Sequence, residues 1–404
     1  MSNTTSRRVR ALGTILAGVT AALSTPPALT ASPVLCPGHW RHVSSDGPSK
    51  RGNEAVAYDE ARKRVVLFGG LNRSSHLGDT WEWDGRQWLL ASESGPPARA
   101  FHSMAYDAQR KHVVVFGGQT EEHGDANDTW EWDGVSWQEA FDPNKLPSPR
   151  NGQGMAYDSL RNKLVMYGGD KTGGSGRADT WATEIPDWKR RLNAGGPGNR
   201  LVYHSMAFDL ERGRVVQFSG ECAAPDTWVW DGKAWSEVAG AQPTTQHFRP
   251  GLAYDSARHR TVLYASWLHC NGDLPKDTWE WDGADWQQVD TDGPDYPPEA
   301  GSVAYDRQRG EVVLFVQNKT WTWNGPTYRC DVQTPGDINC DGVIDKDDVR
   351  MVAAAAGHSA CAADDTRDLN GDGRIDATDK AMVKSLCTFA HCGRSGAADD
   401  DDED

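Results

Sequence analysis

An aromatic-aspartate step returns six times along the chain, and its period constrains the fold more than any other feature. Tyr58-Asp59, Tyr106-Asp107, Tyr157-Asp158, Phe208-Asp209, Tyr254-Asp255 and Tyr305-Asp306 place their aspartates 48, 51, 51, 46 and 51 residues apart. Around two of these steps the chain repeats itself closely: RAFHSMAYDAQRKHVVVFGG spans 99–118 and RLVYHSMAFDLERGRVVQFSG spans 200–220. Each step leads through a short polar turn into an apolar run: VVLFGG, VVVFGG, LVMYGG, VVQFSG, TVLYAS and VVLFVQ. After a variable loop come GDTWEWDG, NDTWEWDG, ADTWATEI, PDTWVWDG, KDTWEWDG and NKTWTWNG, and then an aromatic: Trp88, Trp137, Trp188, Trp235, Trp286 or Tyr328. β-Branched and aromatic residues favour strand over helix. The Asp-Gly step marks a tight turn between a third and a fourth strand. A four-strand unit of this size cannot bury both faces alone, whereas units arrayed about an axis cover one another. The expected fold class is therefore mainly β, a six-bladed β-propeller.

The closure is legible too. Trp40 opens WRHV, 18 residues before Tyr58. The corresponding distances from Trp88, Trp137, Trp188, Trp235 and Trp286 to the next aromatic step are 18, 20, 20, 19 and 19. Trp40 thus holds a fourth-strand position with no first three strands before it. It is expected to complete the last blade and remove exposed edges, with Tyr328 competing for the same place. Cys36 and Cys330 flank the two candidates, so a disulfide locking the closure is expected.

These units resemble kelch repeats, in which paired glycines follow an apolar strand and an aromatic pair lies downstream. The pairs here are Gly69-Gly70, Gly117-Gly118 and Gly168-Gly169. The later units depart from them, with Ser219-Gly220, Ala265-Ser266 and Val316-Gln317. The resemblance covers roughly residues 38–329 and implies a propeller, a fold whose members range from protein-binding scaffolds to the propeller of galactose oxidase.

His102 and His204 stand at equivalent positions in the second and fourth units. Two readings are open: they face a central pocket, or they are ordinary parts of the repeat. The aspartates of the DTW steps read as turn caps, because a catalytic residue need not recur in every blade. A galactose oxidase-type copper site would need tyrosines, histidines and a crosslinking cysteine. Cys222 and Cys270, each following the second strand of its blade, instead suggest a disulfide stapling loops. No serine elbow, zinc motif or phosphate loop appears. No catalytic residue is assigned, and a two-carboxylate hydrolase stays open because acid separations are invisible in sequence.

Residues 1–31 read as an export signal: Arg7, Arg8 and Arg10, the apolar run ALGTILAGVTAAL over 11–23, then the small-residue stretch ALTAS. Removing those three arginines and no acid takes the formal charge from −16 to −19. Phosphate recognition needs a basic footprint, so a nucleic-acid partner is not expected. No later stretch is apolar enough for a transmembrane segment. Residues 393–404, ending DDDDED, read as a disordered acidic tail. An even count of 8 cysteines in an exported chain predicts disulfides, with Cys340, Cys361, Cys387 and Cys392 stapling the C-terminal module.

That module occupies 334–392. DINCDGVIDKDD (337–348) and DLNGDGRIDATD (368–379) lie 31 residues apart and share Asp, Asn, Asp, Gly, Ile, Asp and Asp at positions one, three, five, six, eight, nine and twelve. Calcium takes six to eight oxygens, and such loops supply them from alternating side chains, the carbonyl at position seven and the residue at twelve. The expected ligands are Asp337, Asn339, Asp341, Val343, Asp345 and Asp348 in the first loop. In the second they are Asp368, Asn370, Asp372, Arg374, Asp376 and Asp379. Two structural Ca2+ ions are thus expected. With Asp in place of Glu at position twelve and no entering helices, the module resembles dockerin type I, a duplicated EF-hand-like loop–helix unit. The resemblance covers roughly 334–392 and implies docking onto a cohesin scaffold. Of the hydroxyl pair used for recognition, which would fall on Lys346-Asp347 and Ala377-Thr378, only Thr378 fits.

The chain is therefore expected to be exported, either secreted to the outside or delivered to the periplasm after cleavage of the signal. Residues 36–330 form a kelch-type propeller that binds protein or polysaccharide, followed by a small α-helical dockerin-like domain. The alternative is an extracellular carbohydrate-active enzyme (an oxidase, lyase or hydrolase) with its pocket in the propeller.

Overall fold

The computed structural model describes residues 35–328 apart from 37, 39, 74, 141–144, 173–175, 185–186, 193–195, 199–201, 220–224, 244–248, 265–275, 292, 295–300 and 326. Beyond them it describes 349, 352, 369–370 and 374–386. The protein is mainly β. Among the described residues there are six four-stranded antiparallel sheets, named I to VI here. Sheet I runs Ala55–Asp59, Arg64–Phe68, Thr80–Trp83 and Trp88–Ser92. Its register, Asp59 opposite Arg64 and Trp83 opposite Trp88, is reproduced in sheets II (Ser103 to Ala140), IV (Ser205 to Glu237) and V (Gly251 to Asp290). Sheet III (Gly154 to Leu192) differs in its last hairpin, where Glu184 pairs with Asp187. Glycines at positive φ, such as Gly85 at 96° and Gly134 at 92°, make the Asp-Gly turn possible.

Sheet VI is built from both ends of the repeat region. Ser302–Asp306, Glu311–Val316 and Lys319–Trp323 supply three strands, and Arg41–Ser44 pairs with the last of them. Thr327–Tyr328 pairs instead with Leu35–Cys36. The closure is thus made by backbone ladders. The expected disulfides are corrected here: none is present among the described residues, and the side chains of Cys36, Cys222, Cys270, Cys330, Cys340, Cys361, Cys387 and Cys392 lie outside them.

The sheets form a closed cycle. The first strand of each neighbours the first strand of the next, and that of sheet VI returns to sheet I. Six apolar cores fill the six interfaces. The apolar runs explain themselves in this setting. In sheet II, Val113 and Val115 pack toward sheet I while Val114 and Phe116 pack toward sheet III, so both faces of one strand are buried. A sixfold set of hydrogen bonds ties neighbours together. The indole of the leading tryptophan of each outer strand donates to the threonine of the preceding sheet's DTW step: Trp137 to Thr80 at 2.8 Å, Trp188 to Thr129 at 3.1 Å, Trp235 to Thr180 at 2.9 Å and Trp286 to Thr227 at 2.8 Å. Trp88 to Thr320 at 2.7 Å and Trp40 to Thr278 at 2.8 Å complete the circuit.

Towards the C-terminus an α-helix, Ala377–Leu386, packs Val383 with Ile375 and Val352 in a small core of its own.

Candidate functional site

The chain enters each inner strand through a residue in the left-handed region. Asn53, Phe101, Gly152, Tyr203 and Arg249 hold one equivalent position and have φ of 60, 59, 64, 61 and 52°. This conformation is uncommon for non-glycine residues. The next residue of each unit, Glu54, His102, Gln153, His204, Pro250 or Gly301, lines a cavity of about 180 Å³ on the axis of the ring.

Three of these side chains lean back over the preceding sheet. Gln153 Nε2 donates to the Phe116 carbonyl at 2.8 Å and to Ser103 Oγ at 2.9 Å. His102 meets Phe68 edge-on with ring centres 5.4 Å apart, and His204 meets Tyr167 at 5.8 Å. Gly118 makes room for His102, since a Cβ there would stand 2.7 Å from the histidine's own. Burial, aided by the charge of Arg99, pushes the His102 pKa down to about 3, so it is a neutral imidazole at ordinary pH. His102 and His204 thus satisfy both sequence readings, lining one cavity while serving as packing between sheets.

The mouth carries a clamp that the sequence did not reveal. The Arg249 guanidinium lies 4.0 Å from the Tyr203 ring centre and 4.6 Å from that of Phe101, and the two rings are 5.6 Å apart. Arg249 Nη1 also donates to Asn53 Oδ1. Arg249 leads into sheet V, whereas its partners lead into sheets I, II and IV. Its side chain therefore crosses the axis over the cavity.

The DTW aspartates have a structural role. Asp79, Asp128 and Asp179 form bidentate ion pairs with Arg51, Arg99 and Arg150, whose side chains are at most 1% exposed. Each also accepts the indole N–H of the tryptophan two residues on. The same arginines donate to the carbonyls of Gly69, Gly117 and Gly168, the first glycine of each pair. Burial alone would raise these carboxyl pKa values, but the arginine bonds and charge outweigh it and hold all three below the ordinary range. The missed signal is an arginine 28 or 29 residues before the aspartate. In sheet IV, Asp226 keeps its tryptophan bond, from Trp228 at 3.2 Å, but burial leaves its carboxyl raised.

The expectation of two structural calcium ions, and with it the metal-binding EF-hand reading, is corrected. Among the described residues no group of three or more His, Cys, Asp or Glu side chains is arranged to hold a metal ion. Of the expected ligands, Asp337, Asn339, Asp341, Val343, Asp345, Asp348, Asp368 and Asp372 lie outside the described residues. Asn370 and Arg374 are exposed and Asp376 is half-buried. Asp379 is wholly buried and directs its carboxylate at the backbone: Oδ1 accepts from Leu369 N at 2.8 Å and Asn370 N at 3.2 Å, and Oδ2 from Asp376 N at 2.8 Å. This side chain ties the loop to the first turn of the helix. Thr378 is exposed on that turn, and Lys346 and Asp347 lie outside the described residues.

Comparison with curated proteins gives no match. The C-terminal segment, residues 335–386, matches the family model of the dockerin type I domain.

Proposed function

We propose that the chain is a secreted, non-catalytic binding protein. Residues 36–330 form a six-bladed kelch-type propeller that takes a protein or polysaccharide ligand. Residues 334–392 form a dockerin module that engages a cohesin-type partner. Residues 1–31 serve as the export signal and 393–404 as an acidic tail. The observation that carries this reading is the dockerin match over 335–386, next to a ring whose axial cavity is already formed. The propeller reading is supported by the closed cycle of six sheets and the sixfold tryptophan–threonine bonds. Among the described residues no helix is long and apolar enough to cross a membrane.

The test is capture on immobilised type I cohesin domains, using the full chain and a chain ending at residue 333. Retention of the full chain alone supports the reading; retention of neither on any cohesin refutes the docking half. Capture of the full chain on extracellular polysaccharides and proteins tests the ligand half.

One observation favours the enzymatic alternative: His102, His204 and Tyr203 line one cavity. Two features weigh against it. His102 is a weak base at pKa about 3, and Glu54 is the only acid among the described lining residues, where glycoside hydrolysis generally uses a carboxylate pair. Release of reducing ends from a polysaccharide would reverse this preference.

A further inference from the structure

We propose that the axial cavity binds one neutral saccharide ring, with Arg249 as the lid that must swing aside to admit it. The proposal rests on the binding-protein reading above and names its ligand class.

Size is the first constraint. An engineered apolar cavity of about 150 Å³ holds one benzene ring. At about 180 Å³ this cavity has room for one six-membered ring.

Lining chemistry is the second. The Gln153 amide is fixed, because its Nε2 is committed to the Phe116 carbonyl and Ser103 Oγ. Its Oε1 is buried and has no hydrogen-bond partner among the described residues. A buried acceptor of known direction calls for a donor. The Glu54 side chain, 5% exposed, adds carboxylate oxygens to the same lining, and His102 adds a neutral imidazole. Such a surface suits a ligand with several hydroxyl donors. It disfavours an anion, because among the described lining residues the one acid is Glu54 and the one cation, Arg249, has its guanidinium engaged with Phe101, Tyr203 and Asn53 at the mouth.

The mouth supplies the third. When the Arg249 guanidinium leaves Phe101 and Tyr203, it uncovers two rings suited to the apolar C–H face of a pyranose. The closed clamp opposes binding. Two cation–π contacts of about 0.5–1 kcal/mol each correspond to roughly five- to thirtyfold tighter binding once the arginine is removed.

The experiment is saturation-transfer NMR with calorimetric titration on the full chain. The probes are the methyl β-pyranosides of glucose, galactose and mannose, with methyl glucuronide as the anionic control. The expected result is transfer to at least one neutral glycoside and none to the glucuronide. Arg249→Ala should bind roughly five- to thirtyfold tighter, and Glu54→Gln and Gln153→Met at least about tenfold weaker. Thermal melts identify any variant that fails to fold; Glu54→Gln keeps the side chain's shape and serves if Gln153→Met does not. The proposal is overturned by no transfer to either wild type or Arg249→Ala, or by binding that Glu54→Gln and Gln153→Met leave unchanged. It is also overturned by preference for the glucuronide. If the glycosides fail while cohesin and polymer capture persist, the cavity proposal alone falls; if capture fails as well, the binding-protein reading falls with it.

Discussion

Truncating Asp128 to alanine would leave Arg99 charged, fully buried and without its carboxylate. Arg99 Nη1 and Nη2 each reach an Asp128 oxygen at 2.7 Å, Nη1 also donates to the Gly117 carbonyl at 3.0 Å, and Nε donates to the Pro97 carbonyl at 3.0 Å. The substitution removes two charge-assisted bonds and the counter-charge but leaves two carbonyl partners. Breaking a buried pair from one side costs about 3–5 kcal/mol. The Asp128 side chain is 23% exposed, so water reaches part of the vacated position, and the low end, about 3 kcal/mol, is expected. The double variant Arg99→Met/Asp128→Ala removes the stranded charge and should recover at least about 1 kcal/mol, though not all, because the Gly117 and Pro97 carbonyls lose a donor. Urea unfolding of the full chain, followed by tryptophan fluorescence, measures both. A loss below about 1 kcal/mol for Asp128→Ala, or a double variant no more stable than the single one, would refute the assignment of this carboxylate as the counter-charge of a buried arginine.

The pair also fixes the sign of a pH effect. Burial pushes the Asp128 carboxyl up, but Arg99 and the Trp130 indole outweigh it, so its folded pKa lies below the ordinary 3.8. A depressed carboxyl contributes stability that is fully present above the unfolded pKa and lost as pH falls through the folded one. Wild-type stability should therefore drop on acidification below about pH 4, and Asp128→Ala should drop less steeply.

Asp226 behaves oppositely. Burial raises its carboxyl over the bonds from Trp228 and Ser219, so ionisation costs stability as pH rises past 3.8; Asp226→Asn should raise the urea midpoint at pH 7 and leave it unchanged near pH 3. Phe208→Tyr should add about 0.5–1.5 kcal/mol of stability by supplying a hydroxyl that the other units use: Tyr106, Tyr157, Tyr254, Tyr305 and Tyr58 accept from Ala61, Gln109, Glu211, Ala257 and Gln308 backbone N–H groups at 3.1 to 3.3 Å. An unchanged unfolding midpoint for Phe208→Tyr would count against this. Gly118→Ala should destabilise by roughly 1–3 kcal/mol, since its φ is +92° and a Cβ would stand 2.7 Å from both the Ala100 carbonyl and His102 Cβ; denaturant titration reads the loss.

Most of the β architecture was legible because period and packing coincide. The aromatic-aspartate step, the apolar run and the Trp positions each map onto one strand of each sheet, and the spacing of Trp40 located the strand at Arg41–Ser44 that pairs into sheet VI. The arginine–aspartate pairs escaped although Arg51, Arg99 and Arg150 recur 48 and 51 residues apart, because the first two strands of the sheet separate each arginine from its aspartate. Arg249 escaped for a stronger reason: it bonds Asn53 across 196 residues of chain, a distance that only ring closure makes short. At the C-terminus the spacing of acids was read as a coordination shell. The described structure instead spends Asp379 on backbone amides, a use of a carboxylate that an acidic pattern does not distinguish from ligation.

The repeat also tells where its own constraint ends. Where a side chain must fill the space between two sheets, the units agree: Met104, Met155 and Met206 with Leu252, Val56 and Val303 share one position, and the indole–threonine bond recurs at all six interfaces. Two residues earlier the agreement breaks down, and Glu54, His102, Gln153, His204, Pro250 and Gly301 share little chemistry. The position before that places Asn, Phe, Gly, Tyr and Arg in one strained backbone conformation. Packing would be served by six similar residues at either place. A binding cavity on a symmetry axis would not, because an asymmetric ligand meets six sheets in six different ways, and only dissimilar side chains can match it. The columns that face the cavity and its mouth thus lose repetition where recognition of a ligand would require it.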